Sequence, residues 1–364
     1  MIKMNIENID TAENVVNTLK GVEPISDEEL ENVRPQDREQ VTKTLQTTPR
    51  NEIPVLPVVP ENHFKDAELR YVPSQLEGLE MNFFRSHRCD DPERTGMKLP
   101  ILLVGPTGTA KTLSVAYYSQ QEQMACLQVD CSEGTKRADL IGRFIILEGT
   151  VYFQLGTIPT GIEIANMKKK AAIDFEEVNG LLPGMQKVVN QFLDWRDHIY
   201  IPEIGRVYKV EDGNVLQIFA TMNPSTYGGT HELNEDFSNR FTQMIWSYPT
   251  PAQEFEILEH KGLEDTIVKG VVQLALELRT AESSGDLDTS PSPRTNQMFC
   301  DMLRQYRKDP EIVATHNGKG ALYHALNNSI LTKFTSPQQK HTVAVRMQRV
   351  FGINMDITKS DDDD

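Results

Sequence analysis

The stretch LPILLVGPTGTAKT, residues 99–112, decides the fold. Its apolar run, LPILLV, leads into a turn that contains Gly105 and Gly108, and the next residues, KTLSVAYYSQQEQ, favour a helix. A buried strand, a glycine-rich turn and a helix in this order bring the first backbone N–H groups of the helix and its positive dipole end to one place. The segment therefore predicts an anion-binding loop of the kind that holds nucleotide phosphates.

All eight loop residues are candidate phosphate contacts: Gly105, Pro106, Thr107, Gly108, Thr109, Ala110, Lys111 and Thr112. In ATP-binding loops of this type the lysine, here Lys111, reaches the β- and γ-phosphates, and the next hydroxyl, here on Thr112, coordinates Mg²⁺. Ala110 stands where the pattern has its last glycine. Because position 110 comes just before the helix, we expect right-handed helical backbone there, which alanine adopts without a clash.

Acidic residues follow a second apolar run in AAIDFEEVNG, residues 171–180. Acids at the end of a buried strand are unfavourable unless an ion or partner neutralises them. One carboxylate is expected to hold the Mg²⁺ shell, and its neighbour is expected to act as the general base for the attacking water. We assign the metal to Glu176 and the base to Glu177, and Asp174 remains the alternative metal ligand.

Two later segments supply further candidates. The run FATMNP ends a strand at Asn223, whose amide would hold the lytic water beside the γ-phosphate. Arg240, in LNEDFSNRF, is placed to reach the γ-phosphate of a neighbouring subunit, and an arginine supplied in this way accelerates hydrolysis by orders of magnitude. Arg294, in SPSPRT, opens a helix and is placed to contact the nucleotide of its own subunit.

The pattern along the chain predicts an α/β protein with a parallel sheet between helices, followed by an all-helical domain. The expected strands are residues 99–104, 125–131, 171–177 and 215–223, and two β-hairpin insertions are expected within 139–170 and 198–219. The expected domains are an acidic arm and linker at 1–64, the α/β domain at 65–248, the helical domain at 249–358 and an acidic tail at 359–364. We expect the arm to be peripheral.

Composition narrows the functional classes. A net charge of −16 over 364 residues argues against a surface that broadly grips nucleic-acid backbones, since such surfaces cluster lysine and arginine. The sequence lacks a long apolar run and a signal-peptide pattern, so we expect a cytoplasmic protein without a membrane span. Four cysteines without a CxxC pair fit a reducing compartment.

Five segments in this order resemble a known family: GPTGTAKT, DFEEVN, FATMNP, LNEDFSNRF and SPRT. They are similar to the Walker A, Walker B, sensor 1, arginine finger and sensor 2 motifs of the AAA+ ATPases. Alanine before the loop lysine, the segment ADLIGR and the two hairpins are typical of the MoxR group, which includes the CbbQ/NorQ and cobaltochelatase-subunit branches. The chain departs from the family at Glu176, where an aspartate is usual, and at Asn239, where many members have an aspartate.

The resemblance implies an AAA+ P-loop core with a helical lid, ATP and Mg²⁺ as ligands, and a homo-oligomeric ring, expected to be a hexamer. It implies ATP-driven remodelling or activation of a protein client, often with a partner that carries a von Willebrand factor A domain. Two alternatives stay open. One is a nucleic-acid motor or restriction-type subunit, for which MKKK at residues 167–170 and Arg143 are the candidate basic groups; the other is a scaffold that binds ATP without hydrolysis.

Overall fold

The computed structural model describes residues 33–56, 99–193, 198–224 and 232–355. Their contacts divide them into two compact units. The first contains residues 33–56, 99–104 and 112–244, and the second contains residues 105–111 and 245–355, apart from the undescribed gaps. Residues 105–111 of the phosphate loop therefore belong by their contacts to the second unit, and Thr112 belongs to the first. The predicted acidic tail lies outside the described residues.

The first unit is built on a parallel sheet. Its strands and those of the hairpins are β1 (Ile101–Val104), β2 (Ala125–Asp130), β3 (Gly142–Leu147), β4 (Thr150–Leu155), β5 (Lys170–Glu176), β6 (His198–Ile201), β7 (Arg206–Lys209), β8 (Val215–Met222) and β9 (Thr242–Ile245). The sheet has the order β2-β5-β8-β1-β9, and its β2–β5, β5–β8 and β8–β1 pairs are parallel. The predicted fold class is confirmed, and β9 is an edge strand that the sequence did not predict.

Helices flank the sheet and fill the second unit. They are α1 (Arg38–Thr47), α2 (Lys111–Gln121), α3 (Arg137–Leu140), α4 (Thr157–Lys168), α5 (Pro183–Leu193), α6 (Glu235–Ser238), α7 (Pro251–Glu259), α8 (Asp265–Ser283), α9 (Pro293–Tyr306), α10 (Pro310–Gly318), α11 (Gly320–Ser329) and α12 (Pro337–Phe351). None of the described helices is long and apolar enough to cross a membrane.

Two antiparallel hairpins stand apart from the main sheet, as predicted. The first pairs β3 with β4 around a turn at Glu148 and Gly149. The second pairs β6 with β7, and Tyr200 lies directly opposite Val207. Both of these side chains are mostly exposed, by 55% and 60%. The second hairpin therefore presents an apolar cross-strand pair to solvent.

The N-terminal arm corrects one expectation, because its described part is not peripheral. Val41, Leu45 and Ile53 are at most 1% exposed and belong to the core of the first unit. Beyond Ile53 the chain runs as an extended segment beside β4, where the N–H of Phe153 donates to the Pro54 carbonyl oxygen at 2.9 Å. The prolines that suggested a linker instead suit an edge segment, since proline lacks an N–H for a second ladder.

The arm also touches both hairpins. Gln40 donates from Nε2 to the Gly149 carbonyl oxygen in the β3–β4 turn. From the β6–β7 hairpin, Arg206 donates through Nη2 to the carbonyl oxygens of Asn51 and Ile53, at 2.7 and 2.9 Å. The arm therefore ties the two insertions together within the first unit.

The second unit has a helical core of its own. Buried side chains from α7, α8, α9, α11 and α12 form it, with Leu278, Phe299 and Met347 fully buried. Three of its described helices begin with capping side chains: Thr250 accepts from the Gln253 N–H before α7, Ser292 accepts from the Thr295 N–H before α9, and Asp309 accepts from the Ile312 N–H before α10. The all-helical prediction for this part of the chain is confirmed.

Candidate functional site

The lysine of the phosphate loop is folded back onto the loop. Lys111 donates from Nζ to the carbonyl oxygens of Gly105 and Pro106, at 2.8 and 2.9 Å, and is only 9% exposed. Thr109 also donates to the Pro106 carbonyl oxygen, at 2.9 Å. The ammonium group is thus fixed at the start of α2, where the helix dipole also favours an anion.

Ala110 does not have the backbone conformation that we expected. The helix begins one residue later, at Lys111, and Ala110 has φ +70°, in the left-handed region. An L-residue with a Cβ is disfavoured there by about 1–2 kcal/mol. The last glycine of the usual pattern therefore has a conformational reason, and this chain tolerates strain at that position.

Arg294 lies against the loop within the second unit. Gly108 has φ +78°, and a Cβ placed on it would lie 2.9 Å from Ser292 Oγ and 3.3 Å from Arg294 Cβ. Trp246 donates from Nε1 to the Thr109 carbonyl oxygen at 2.6 Å. The loop is therefore held by the start of α9 and by Trp246, and Arg294 is brought to it.

Glu176 is the last residue of β5 and contacts the candidate metal hydroxyl. Thr112 donates from Oγ1 to Glu176 Oε2 at 3.1 Å, and Gln128 of the neighbouring β2 donates to Oε1 at 2.9 Å. A hydroxyl and a carboxylate are the oxygen donors that Mg²⁺ prefers. Thr112 and Glu176 thus form a donor pair that fits this ion.

Asp174 is not brought to Thr112. It is fully buried within β5, and neither carboxylate oxygen has a hydrogen-bond partner among the described residues. Burial, and then the charge of Glu176, raise the pKa of Asp174 well above its usual value, so the neutral form is favoured. Of the two acids considered for the metal, the structure pairs only Glu176 with the loop threonine.

Glu177 has a left-handed backbone, with φ +51° and ψ +47°. Its N–H donates to Thr221 Oγ1 at 3.2 Å, and its Oε1 accepts from Asn223 Nδ2 at 3.4 Å. Asn179 in turn donates to the Asn223 carbonyl oxygen at 3.2 Å. Strain of this kind is found at functional sites where the surroundings fix it. The two predicted residues Glu177 and Asn223 therefore meet at the carboxyl ends of β5 and β8.

Arg240 follows the short helix α6. Its Nη2 lies 3.3 Å from Asp236 Oδ1, and Asn190 donates to the other oxygen of this carboxylate at 2.8 Å. The neighbouring Phe241 packs edge-to-face against Phe237, with ring centroids 5.2 Å apart. The guanidinium side chain, 27% exposed, is held at the surface of the first unit.

Two residues around the site, Gln128 and Trp246, are not among the predicted site residues. Gln128 is polar at the end of an apolar strand, which is a local signal that could have drawn attention to it. Trp246 lies 137 positions from the loop residue that it contacts, so no local pattern could have found it.

Comparisons with known proteins agree with these motifs. Residues 100–241 match the model of the AAA domain, dynein-related subfamily. The match begins just before β1 and ends just after Arg240. It therefore contains the phosphate loop, the acids Asp174, Glu176 and Glu177, and Asn223.

Several curated proteins are similar to the chain over much of their length. Protein CbbQ of Hydrogenophilus thermoluteolus is 29% identical over 54% of this chain and 71% of its own. Protein NorQ of Paracoccus denitrificans is 28% identical over 60% of this chain and 76% of its own. Denitrification regulatory protein NirQ of Pseudomonas aeruginosa is 26% identical over 54% of this chain and 73% of its own.

Proposed function

Since the chain belongs to the AAA+ ATPases of the MoxR group and hydrolyses ATP, we propose that it is a ring-forming remodeller or activator of a protein client. In this proposal residues 65–248 form the ATPase domain and residues 249–358 form its lid. The exposed Tyr200–Val207 pair on the β6–β7 hairpin carries the client part of the proposal.

Thr112 and Glu176 would hold Mg²⁺, which on binding neutralises charge on the β- and γ-phosphates. The loop N–H groups and Lys111 would orient the phosphates, and Arg294 would contact them from α9. The donation from Thr112 to Glu176 at 3.1 Å supports this choice of metal ligands over Asp174.

Glu177 would act as the general base. Its carboxylate accepts from Asn223, so the amide holds it in one orientation while the second oxygen remains for the attacking water. We expect Glu177→Gln to bind ATP and stop turnover, measured by nucleotide titration and steady-state phosphate release. A scaffold that binds ATP without hydrolysis would instead release no phosphate in the wild type.

The ring is tested through Arg240. We propose that this arginine completes the site of a neighbouring subunit, as expected for a hexamer. Arg240→Ala and Glu177→Gln should each be inactive alone. If Arg240 acts across the interface, mixed rings regain activity, because some interfaces combine an intact Glu177 with an intact Arg240. Mixtures that stay inactive would contradict action across an interface. The number of subunits is tested separately, by measuring the mass of the Glu177→Gln assembly with ATP by light scattering, and six subunits are expected.

A polypeptide is the client that the hairpin favours. Tyr200 and Val207 offer apolar area, which suits a protein segment better than a phosphodiester backbone. The candidate basic groups lie on different elements: Lys168 and Lys169 are exposed at the end of α4, and Arg143 donates to Gln154 Oε1 within the first hairpin. The net charge of −16 also opposes nucleic-acid binding.

The test uses the Glu177→Gln trap with ATP in a nuclease-treated lysate of the source organism. A protein, with or without a von Willebrand factor A domain partner, should be captured. Capture should be lost when Tyr200→Ser and Val207→Ser are added, and kept with Val345→Ser, a matched exposed valine in the second unit. The proposal would be contradicted if capture were unaffected by Tyr200→Ser and Val207→Ser, or if DNA alone stimulated the ATPase rate.

A further inference from the structure

A buried ion pair lies close to the start of α9. Arg279 of α8 donates to both carboxylate oxygens of Glu254 of α7, at 2.6 and 2.8 Å. The side chains are 12% and 2% exposed. Arg279 also lies over the ring of Tyr248, 4.3 Å from its centroid. The pair is therefore bidentate and largely removed from water.

This pair holds the backbone on both sides of Arg294. Arg279 donates from Nε and Nη2 to the Pro291 carbonyl oxygen, at 3.2 and 3.0 Å. Glu254 Oε1 accepts from Asn296 Nδ2 at 2.7 Å. Pro291 precedes Arg294 by three residues and Asn296 follows it by two, so the ion pair fixes the segment that carries Arg294.

The same segment meets the phosphate loop. Ser292 caps α9 and approaches Gly108 so closely that a Cβ there would lie 2.9 Å from Ser292 Oγ. Any shift of the Pro291 carbonyl would therefore move both the cap and the arginine relative to the loop. These contacts all lie within the second unit.

We propose that Arg279 and Glu254 are positioning residues that set Arg294 against the phosphate loop and thereby determine ATP affinity. The inference rests on the proposed contact between Arg294 and the nucleotide. It adds two residues of α7 and α8 that lie outside the matched AAA domain.

The geometry needs an arginine. A planar guanidinium can satisfy a carboxylate and a carbonyl oxygen at once, whereas the single ammonium of a lysine cannot reproduce the same fork. A buried ion pair is also a poor choice for stability alone, because well-packed apolar residues are often as good or better. Beyond packing, this ion pair supplies directional hydrogen bonds that fix the start of α9.

The test is a double-mutant cycle on ATP affinity, measured by titration with a fluorescent ATP analogue below the melting temperature of every variant. Arg294→Ala should weaken binding by about tenfold, as for a lost charge-assisted hydrogen bond. Arg279→Lys should weaken it by about threefold to tenfold. The double variant should bind no more weakly than Arg294→Ala, since Arg279 acts through Arg294.

Two further variants keep the result clear. Arg307→Lys changes another arginine–carboxylate pair of the same unit, the exposed contact of Arg307 Nη1 with both oxygens of Glu264, and should leave affinity unchanged. Glu254→Gln preserves the shape of the side chain and replaces Arg279→Lys if that variant folds poorly. It should weaken ATP binding to the same extent as expected for Arg279→Lys. Additive losses in the double variant would overturn the inference. An Arg294→Ala variant with normal affinity would refute the proposed role of Arg294 and this inference together, while Glu177→Gln still reports on hydrolysis independently.

Discussion

The left-handed backbone at Ala110 yields a quantitative prediction. Ala110→Gly should relieve about 1–2 kcal/mol of strain, because glycine adopts φ +70° without the Cβ clash. The greater freedom of glycine in the unfolded chain costs about 0.5–1 kcal/mol. The native state should therefore be stabilised by about 1 kcal/mol.

The assay is thermal unfolding without nucleotide, followed by circular dichroism. A gain of about 1 kcal/mol raises the melting temperature of a domain of this size by about 2–4 °C. Turnover should be unchanged, because the position of Lys111 is already determined by its own hydrogen bonds to the loop.

Ala116→Gly is the matched control. Ala116 lies inside α2, where glycine costs about 1 kcal/mol relative to alanine. The two substitutions are chemically identical and should have opposite signs. If Ala110→Gly lowers the melting temperature as Ala116→Gly does, position 110 is right-handed after all, and the strain argument is wrong.

Three further predictions test other parts of the molecule. Ile53→Ala should lower the free energy of unfolding by about 2–5 kcal/mol, because Ile53 is a fully buried residue of the arm. Leu147→Ala should change this free energy little, because Leu147 is 45% exposed. Equal effects in denaturant titrations would mean that the arm is not part of the core. Glu176→Gln should weaken Mg²⁺-dependent ATP binding and Asp174→Asn should not; the reverse result would move the metal to Asp174. Burial raises the pKa of the Cys300 thiol to about 12, and the free thiols of Cys126 and Cys131 are also buried. A Cys89→Ser protein should therefore show no thiol labelling at pH 8 until it unfolds, because the thiolate is the reactive form. Labelling of the native protein that increases from pH 8 to 9 would contradict this.

Strand and motif order could be predicted because their signals are local. The apolar runs of β1, β2, β5 and β8 lie next to glycines or acids, and the structure ends each strand within two residues of its predicted end. The edge strand β9 has no such signal, since its TQMI sequence is half polar and only partly buried. The hydrogen bond of its Thr242 N–H to the Pro100 carbonyl oxygen depends on a contact that no periodicity encodes.

The arm differs from its prediction for a related reason. Its sequence, NEIPVLPVVPEN, has the proline spacing of a linker, yet Ile53 is completely buried and Pro54 accepts a hydrogen bond from Phe153. Proline excludes regular pairing on one side only, and the other side can still lie along an edge strand. Which side of the segment pairs with a strand depends on residues about 100 positions away along the chain, such as Phe153.

The two loop residues with a positive φ, Gly108 and Ala110, differ in what a Cβ costs. Ala110 carries its Cβ at φ +70°, a conformational cost that a folded domain can absorb. Gly108 has a positive φ as well, and a Cβ there would also press on Ser292 Oγ, the cap that the Arg279–Glu254 pair holds through Pro291. Alanine at 108 would therefore either displace the start of α9, and Arg294 with it, or deform the loop. The alanine of this chain stands at position 110, and glycine is kept at position 108, where a Cβ would lie 2.9 Å from Ser292 Oγ.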